Sequence, residues 1–384
     1  MENSIDKINS VKGYVNNNII TQEEYNLLET ELKNISVLTG NIQINSETDY
    51  NGAKYRMKAM ILPNSNFALI KNQLLKSYKF LNFAVNKPNI KTIFLIGQSQ
   101  LCIENYLYFS NYTTFETINP KVLFPVDLML YNQLKKNKDL KSKTFDVSTY
   151  SLLSLIEEDD QIIEKEHIIS ESIEDKEYTF DIHLAMLSYL FPQLKTKIQI
   201  CPLWINLKNT NAISNLAGIL GQYFTKEEYF FIFSTNLTHF GKLYDFTWDS
   251  KFLPILRDSP QMQKVISEKF DNKSQNNLLS IIKNEFKEML KNEKKKEDIL
   301  KLIHMLDKHL IDGIKNKSLS ETEKLNNINF CKDIILTLVE IIKDYRGLYI
   351  ETIGYEILQC KNLDEVKDLN FVSLGSLVIY EITK

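Results

Sequence analysis

The chain has 384 residues, of which 43% are hydrophobic and 11% aromatic, so it can bury a sizeable core and is not globally disordered. Its 46 Lys and Arg residues against 49 Asp and Glu residues give a formal net charge of −3, so no overall basic field attracts nucleic acid. Only three of these cations are arginine, the residue that binds guanine and phosphate bidentately, and nucleic-acid recognition is therefore disfavoured further.

The sequence predicts a cytoplasmic protein with no membrane partner. No apolar run approaches the ~20 residues that span a bilayer, and the first residues lack the charged and then apolar layout of a signal peptide. The four cysteines are scattered without a CxxC pair, which favours free thiols in a reducing compartment.

Residues 1–50 are predicted to form a helical N-terminal extension. Thr21 and Glu24 have the spacing of a capping box, and Leu28, Leu32 and Ile35 then share one helical face. An amphipathic helix packed on the main domain is the plainer interpretation, and a partner-binding helix is the alternative.

Residues 51–384 are predicted to form one α/β domain, with a central mixed sheet flanked by helices. Near-continuous apolar segments indicate strands that helices cover on both faces, and a helical pattern over 69–81 separates the first two. In such sheets, sites form at the carboxyl ends of the strands. The predicted strands are 56–62, 91–97, 197–205, 229–235 and 371–380.

A Lys-rich helical insertion is predicted to interrupt this domain at 258–327. Residues 283–301 carry seven lysines and five acidic residues, a net charge of only +2, so the run is interpreted as a solvated face rather than an RNA or membrane patch. The helical spacing of apolar residues predicts one buried stripe, formed by Ile299, Ile303, Leu306, Leu310 and Ile314.

Two polar motifs carry candidate catalytic side chains. Ser234–Gly241 follows an apolar strand, and its His239 suits an acid, a base, a metal ligand or an ordinary hydrogen-bonded loop histidine. Glu177–Leu184 opens a helix and contains Asp181 and His183. These two are two residues apart, so they converge only if they lie in the loop before the helix. The alternative is a helix start at which Asp181 complements the dipole.

Together the two motifs resemble those of the Memo-like family, the protein B of the AmmeMemoRadiSam system. The letters STNLTHFG at 234–241 resemble the family's Ser-Ser-Asp-Phe-x-His-Trp/Tyr-Gly, and EYTFDIHL at 177–184 resembles its Glu-His-Ser-x-Glu-x-His-Leu. Weaker matches in the same order extend the resemblance over 52–257 and 328–382. The resemblance implies a fold similar to that of class III extradiol dioxygenases, whose iron site uses two histidines and a carboxylate.

Three ligand positions of that family are substituted in this chain. Asn64 stands for the histidine of the family's Pro-His-Ala-Gly-Tyr turn, Gln100 for a histidine of its Gly-Pro-Ser-His-His turn, and Asn236 for the acid before the retained His239. Amide oxygens are neutral, weak donors to transition metals, so no metal and no other cofactor is predicted. Iron or copper is expected only if this interpretation of a degenerate site is wrong.

The resemblance and the substitutions predict a non-catalytic Memo-like protein, a pseudoenzyme with a remnant pocket. Asn64, Gln100, Asn236, His239 and His183 would line this pocket, which would bind a small molecule or a protein.

The alternative is a metal-dependent or thiol-dependent oxidoreductase or hydrolase. It would use His239 and His183, with Asp181 as the orienting carboxylate and Cys360 or Cys331 as nucleophile or soft ligand. A nucleic-acid protein that acts through the Lys-rich helices is the least favoured class, because the charge balance is near neutral and arginine is scarce.

Overall fold

The structure is a computed structural model in which parts of the chain are described. These are residues 10–12, 54–65, 70, 73–78, 90–98, 106–110, 112–116, 123–145, 150–158, 161–169, 179–190, 198–207, 209–240, 293–320, 322, 332–360 and 370–383. Within the predicted N-terminal extension only β1 (Ser10–Lys12) is described, and it is a strand. The helix predicted after Thr21 lies outside the described residues.

Four parallel strands form the centre of a mixed sheet to which nine of the described strands belong. Their side chains are almost entirely buried, as expected of apolar strands that are covered on both faces. The predictions of an α/β fold and of these four strands are confirmed. In spatial order the strands are β2 (Lys54–Leu62), β11 (Tyr229–Ser234), β3 (Thr92–Gly97) and β10 (Gln199–Asn206).

Antiparallel strands extend the sheet on both sides. β10 pairs antiparallel with β4 (Tyr106–Phe109), and β4 pairs in parallel with β7 (Ser142–Thr144). On the other side β2 pairs with β14 (Asn370–Thr383), so the expectation that segments 56–62 and 371–380 share one sheet is confirmed. β14 also pairs with β13 (Leu348–Cys360) and with the short β12 (His239–Phe240).

The described strands outside the central sheet form two smaller sheets. β5 (Thr114–Glu116) lies between β1 and β6 (Leu123–Pro125). β8 (Tyr150–Glu158) and β9 (Gln161–Ile169) form a separate antiparallel pair.

The helices flank the central sheet. Residues 73–78 are helical, as the pattern over 69–81 predicts. α3 and α5 pack against each other and against β11, while α5 also reaches β10. The five helices with complete bounds are α1 (Leu128–Lys135), α2 (Asp181–Leu190), α3 (Thr210–Phe224), α4 (Glu293–Lys315) and α5 (Lys332–Ile342).

The described part of the Lys-rich segment is helical and packs against the sheet. In α4 the predicted inward stripe is confirmed for four positions, because Ile303, Leu306, Leu310 and Ile314 are buried, while the side chain of Ile299 is not described. α4 contacts β13. No helix among the described ranges is long and apolar enough to cross a membrane.

Candidate functional site

The carboxyl ends of the parallel strands meet at one edge of the sheet, as the sequence predicts. Ser234, the last residue of β11, lies beside Leu62 of β2 and beside Gly97 of β3. The residues that follow these strands are therefore neighbours, and they include Asn64 and Asn236. The segment after β11 is fixed on both sides, because the Thr235 N–H donates to the Leu62 carbonyl and the Leu237 N–H to the Ser373 carbonyl.

The Asn236 side chain bonds to the backbone of Asn64 through both of its polar atoms. Its Oδ1 accepts from the Asn64 N–H at 2.9 Å, and its Nδ2 donates to the Asn64 carbonyl at 2.6 Å. The side chain thus makes the same pair of hydrogen bonds that a backbone residue of a neighbouring strand would make. It joins the loops that follow β2 and β11. Asn236 is buried, whereas Asn64 is only partly covered.

His183 lies in the first turn of α2 and is completely buried, with a hydrogen-bond partner for each ring nitrogen. The Ser234 hydroxyl donates to the Thr179 carbonyl at 3.1 Å, so Ser234 Oγ accepts from His183 Nε2–H at 2.9 Å. Nδ1 then accepts from the Tyr78 hydroxyl at 3.2 Å. This chain of donors assigns the neutral Nε2–H tautomer. Burial lowers the pKa of His183 to about 3, so the ring stays neutral at neutral pH.

The turn before α2 packs so closely on the end of β3 that only glycine fits there. A Cβ atom on Gly97 would lie 2.3 Å from Cγ2 of Thr179. Thr179 Oγ1 also donates to the Gln98 carbonyl at 3.2 Å. Asp181 is the first residue of α2 and is buried, a position at which a carboxylate complements the helix dipole.

His239 lies in β12, where it pairs with Val372 of β14. Burial lowers the pKa of its imidazole to about 4, and a hydrogen bond with the Leu237 backbone opposes this shift only in part. His239 is therefore neutral at neutral pH, the form that a base or a metal ligand requires.

A buried carboxylate, Asp307, holds α4 against this edge of the sheet. Its Oδ1 accepts from the Thr238 hydroxyl at 2.7 Å and from the Thr238 N–H at 3.2 Å, and its Oδ2 accepts from the Tyr355 hydroxyl at 2.7 Å. Desolvation raises the pKa of this carboxyl, and its hydrogen bonds with Ser373, Tyr355 and Thr238 oppose the shift. Thr238 directly precedes His239, so α4 supports the loop that carries the candidate histidine.

Sequence reasoning missed Asp307, although a signal was present. Asp307 lies four residues after Ile303 and seven before Ile314, which places it on the inward face that the apolar residues define. Sequence reasoning also missed the partners of His183, because Tyr78, Thr179 and Ser234 come together only through tertiary packing.

Only some of the candidate residues are brought together in the described part of the chain. Asn64 and Asn236 bond to each other, while His183 belongs to a separate buried chain through Ser234. Gln100, Cys331 and the side chain of Cys360 lie outside the described residues, so their parts in the site stay predictions. Among the residues described, no three His, Cys, Asp or Glu side chains are grouped in a way that could hold a metal ion.

The donor set at Asn64 and Asn236 does not fit an iron site of two histidines and a carboxylate. Asn236 Oδ1 already accepts a hydrogen bond from the Asn64 N–H, and an amide nitrogen is no metal ligand. His183 uses both ring nitrogens in hydrogen bonds within the core. Of the candidates described, only His239 combines a neutral imidazole with partial exposure.

The fold and this edge define an α/β protein with polar side chains at the carboxyl ends of its parallel strands. The family model described as Memo-like protein matches residues 24–324. The chain therefore belongs to the Memo-like family. The matched range includes the Lys-rich segment and α4, which the motif resemblance alone left out.

The crystal structure of an uncharacterized protein from Escherichia coli K12 is similar to this chain over 84% of this chain and 99% of that chain. The sequence identity is 13% and the TM-score is 0.36. A search of curated proteins found no match.

Proposed function

We propose that this protein is a non-catalytic member of the Memo-like family that binds a small molecule or a protein, and not nucleic acid, through the strand-end site. The proposal includes a cytoplasmic location and a site without a metal or other cofactor. Asn64, Gln100 and His239 supply its polar groups, while Asn236 holds the loops of the site together and His183 stabilises the neighbouring core.

The main support for the proposal is that both polar atoms of the Asn236 side chain are already hydrogen-bonded to the backbone of Asn64. Both of its polar atoms make short hydrogen bonds, so the side chain holds two loops together where the family pattern has an acid. A transition-metal ion at this edge would lack the anionic ligand that balances its charge.

The surroundings of His183 support the same proposal. A catalytic base exchanges protons with substrate near neutral pH, whereas burial keeps the His183 pKa near 3 and Tyr78 and Ser234 occupy its two nitrogens. Its hydrogen bonds instead join α2, β11 and the helical residues 73–78, which stabilises the floor of the site.

Metal analysis of the purified protein tests the absence of a cofactor. We expect far less than one equivalent of iron, copper or zinc per chain after reconstitution with each ion, followed by desalting and mass spectrometry. One equivalent of metal that disappears in a His239→Ala variant would contradict the proposal and favour the alternative enzyme.

A variant in which the metal ligands are restored serves as the positive control for metal binding. The triple variant Asn64→His, Gln100→His, Asn236→Asp restores two imidazoles and a carboxylate, and we expect it to gain stoichiometric Fe(II) or Cu. The metal should raise the melting temperature of this variant and leave that of the natural protein unchanged. A folded triple variant that binds no metal would show that these positions do not converge as a ligand set.

A photo-crosslinking amino acid at Ser65 tests the binding function in cells. Ser65 follows Asn64 and is partly exposed at the site, while Asp139 is exposed after α1 and serves as the control position. We expect a defined adduct from position 65 and not from position 139. Equal adduct patterns, or no adduct from position 65, would contradict binding at this edge.

A further inference from the structure

Two lysines converge on one tyrosine ring in the part of the sheet formed by β4 and β7. Lys141 Nζ lies 4.4 Å and Lys143 Nζ 4.3 Å from the centroid of the Tyr106 ring. Lys141 is exposed, while Tyr106 and Lys143 are partly exposed. A molecule that arrives from solvent can therefore contact both ammonium groups.

The pairing of the strands places this group at the same edge of the sheet as the strand-end site. β4 is antiparallel to β10, so its first residue, Tyr106, pairs with the last residue of β10, Asn206. β10 is parallel to β3, β11 and β2, which all end at the edge where Asn64 and Asn236 lie. The lysines therefore extend that edge sideways, beyond β10.

A row of paired residues connects the end of β3 with Lys143. Gly97 pairs with Trp204, Trp204 with Tyr108, and Tyr108 with Lys143. Residues that pair directly across strands lie on the same face of a sheet. The ring of Phe145 agrees with this, because its centroid lies 4.9 Å from that of Trp204 and 5.2 Å from that of Tyr108. The lysines and the end of β3 therefore share one face as well as one edge.

Trp204 contributes to this row a buried hydrogen-bond donor without a partner. The residue is 1% exposed, and in the described part of the chain no acceptor lies within reach of its Nε1–H. Buried donors in folded proteins are nearly always satisfied by protein, water or ligand. This face therefore offers a donor to an oxygen atom of a bound molecule.

The charges around Tyr106 favour an anion. Residues 135–143 contain five lysines and one acid, although the whole chain has a formal net charge of −3. No ion pair between described residues involves Lys141. Two ammonium groups beside one ring repel each other, and an anionic group between them removes this repulsion. Their contacts with the ring hold both side chains before the anion arrives, which lowers the entropic cost of binding.

We propose that the ligand of the strand-end site is a small molecule with a carboxylate or phosphate group, and that Lys141 and Lys143 bind this group beside Tyr106. This inference rests on the proposed function, because it names the chemistry of the molecule that binds at that edge. Three strand spacings, about 14 Å, separate β3 from β7, so the molecule is elongated. Its middle part lies over the row that contains Trp204.

Titration with simple anions tests the two lysines. Phosphate or acetate is added at constant ionic strength, with chloride as the reference, and the melting temperature is recorded. We expect one of the two anions to raise the melting temperature of the natural protein saturably, and this anion identifies the bound group as phosphate or carboxylate. The double variant Lys141→Gln, Lys143→Gln should lose the rise. The matched variant Lys136→Gln, Lys138→Gln removes the same charge from two exposed lysines nearby and should keep it.

Two results of this titration would overturn the proposal. One is the lack of a saturable rise with either anion in the natural protein. The other is an equal response of the two double variants, which would mean that the anion does not bind at Tyr106.

The crosslinking position at Ser65 tests whether the lysines serve the strand-end site. The adduct formed there in cells should be a small anionic molecule, and its amount should fall by about fivefold or more in the Lys141→Gln, Lys143→Gln background. It should stay unchanged in the Lys136→Gln, Lys138→Gln background. An undiminished adduct, or an adduct with a protein, would overturn this inference and leave the proposed function in place. A saturable anion response without any adduct from position 65 would instead count against the proposed function.

Discussion

At Asn236 the direction of each hydrogen bond determines which side chain can occupy the position. The Asn64 backbone presents one donor and one acceptor, and an amide supplies the complementary acceptor and donor. A carboxylate offers two acceptors, so one of its oxygens would face the Asn64 carbonyl. The amide at position 236, where the motif resemblance predicts an acid, therefore stabilises the loop.

We expect Asn236→Asp to lower the free energy of unfolding by about 2–4 kcal/mol at neutral pH, since a buried hydrogen bond becomes a contact between two acceptors. At acidic pH the new carboxyl is protonated and can donate to the Asn64 carbonyl, so the loss should shrink. Urea unfolding of both proteins at neutral and acidic pH measures this, with Asn132→Asp on the exposed face of α1 as the control. A loss that is independent of pH would contradict the assigned bond directions.

His183 makes the stability of the protein depend on pH. Its folded pKa of about 3 lies below the ordinary value of 6.5. At a pH between these two values the ring is therefore neutral in the folded protein and protonated in the unfolded chain. Its contribution is therefore fully present above pH 6.5 and is lost as the pH falls towards 3. Each unit by which the pH falls within this window lowers the free energy of unfolding by up to about 1.4 kcal/mol.

We expect His183→Gln to remove about 2 kcal/mol of the difference in unfolding free energy between pH 7 and pH 5, because glutamine does not titrate. The variant retains a donor for Ser234 and so tests the titration rather than the packing. Chemical denaturation at the two pH values measures the effect, and His309→Gln at an exposed position of α4 is the control. An unchanged pH dependence would show that His183 is accessible to protons in the folded state.

At the scale of elements, α4 is part of the core rather than a surface appendage. Its stripe of buried aliphatic residues ends in a turn in which Lys317 adopts a left-handed conformation with a φ of 55°, and Lys317 Nζ donates to the Tyr345 carbonyl at 2.7 Å. Together with Asp307, this contact attaches the helix at two separate points. The loop that carries His239 depends on that attachment through Thr238.

We expect Leu306→Asp to lower the free energy of unfolding by about 4 kcal/mol or more, since it buries a charge and removes an apolar side chain that is only 3% exposed. Lys308→Asp on the exposed face of the same helix should change it by less than about 0.5 kcal/mol. Thermal unfolding and proteolysis of α4 compare the two variants. Equal losses would mean that the helix does not pack through this face.

Sequence analysis predicted the strands that are buried and therefore consist mostly of apolar residues. β3 and β11 are almost uninterrupted apolar runs, so their position in the centre of the sheet could be predicted. β13 was missed because an edge strand that is half exposed mixes residues such as Glu351 and Thr352 with Ile350 and Ile353. Its pairing with β14 is decided by packing between distant segments, which no local pattern encodes.

The same limit applies to the candidate site. Its location could be predicted, because parallel strands end at one edge and Asn64 and Asn236 follow two of them. The function of each side chain could not, since the partner of Asn236 is the backbone of a residue 172 positions away. Residue type predicted that metal ligands are replaced, but it did not predict that Asn236 forms a structural hydrogen bond.

At the scale of the whole molecule, β14 connects regions of the sheet that no other described strand pairs with each other. It lies between β2 and β13 and also pairs with β12, so its removal would expose the edge of the parallel centre and detach the strand that contacts α4. The β8–β9 pair has the opposite character, since its two strands pair only with each other among the described residues.

We therefore expect removal of residues 370–384 to abolish cooperative folding, whereas replacement of residues 150–169 by a short glycine-serine linker should preserve it. Circular dichroism and calorimetric unfolding distinguish the outcomes, and the linker variant is the matched control for loss of a strand pair. A cooperative transition after removal of 370–384 would contradict the central position of β14.

The pairing of Met60 with Val378 joins strands that lie more than 300 residues apart along the chain. The entropic cost of closing so large a loop must be met before β2 gains its second neighbour, so the sheet should mature slowly. Until then the apolar edge of β2 is open to other chains, including nascent copies of the same protein. We therefore expect yield in the cell to depend strongly on synthesis rate and on chaperones that shield this edge, even where the finished protein is stable.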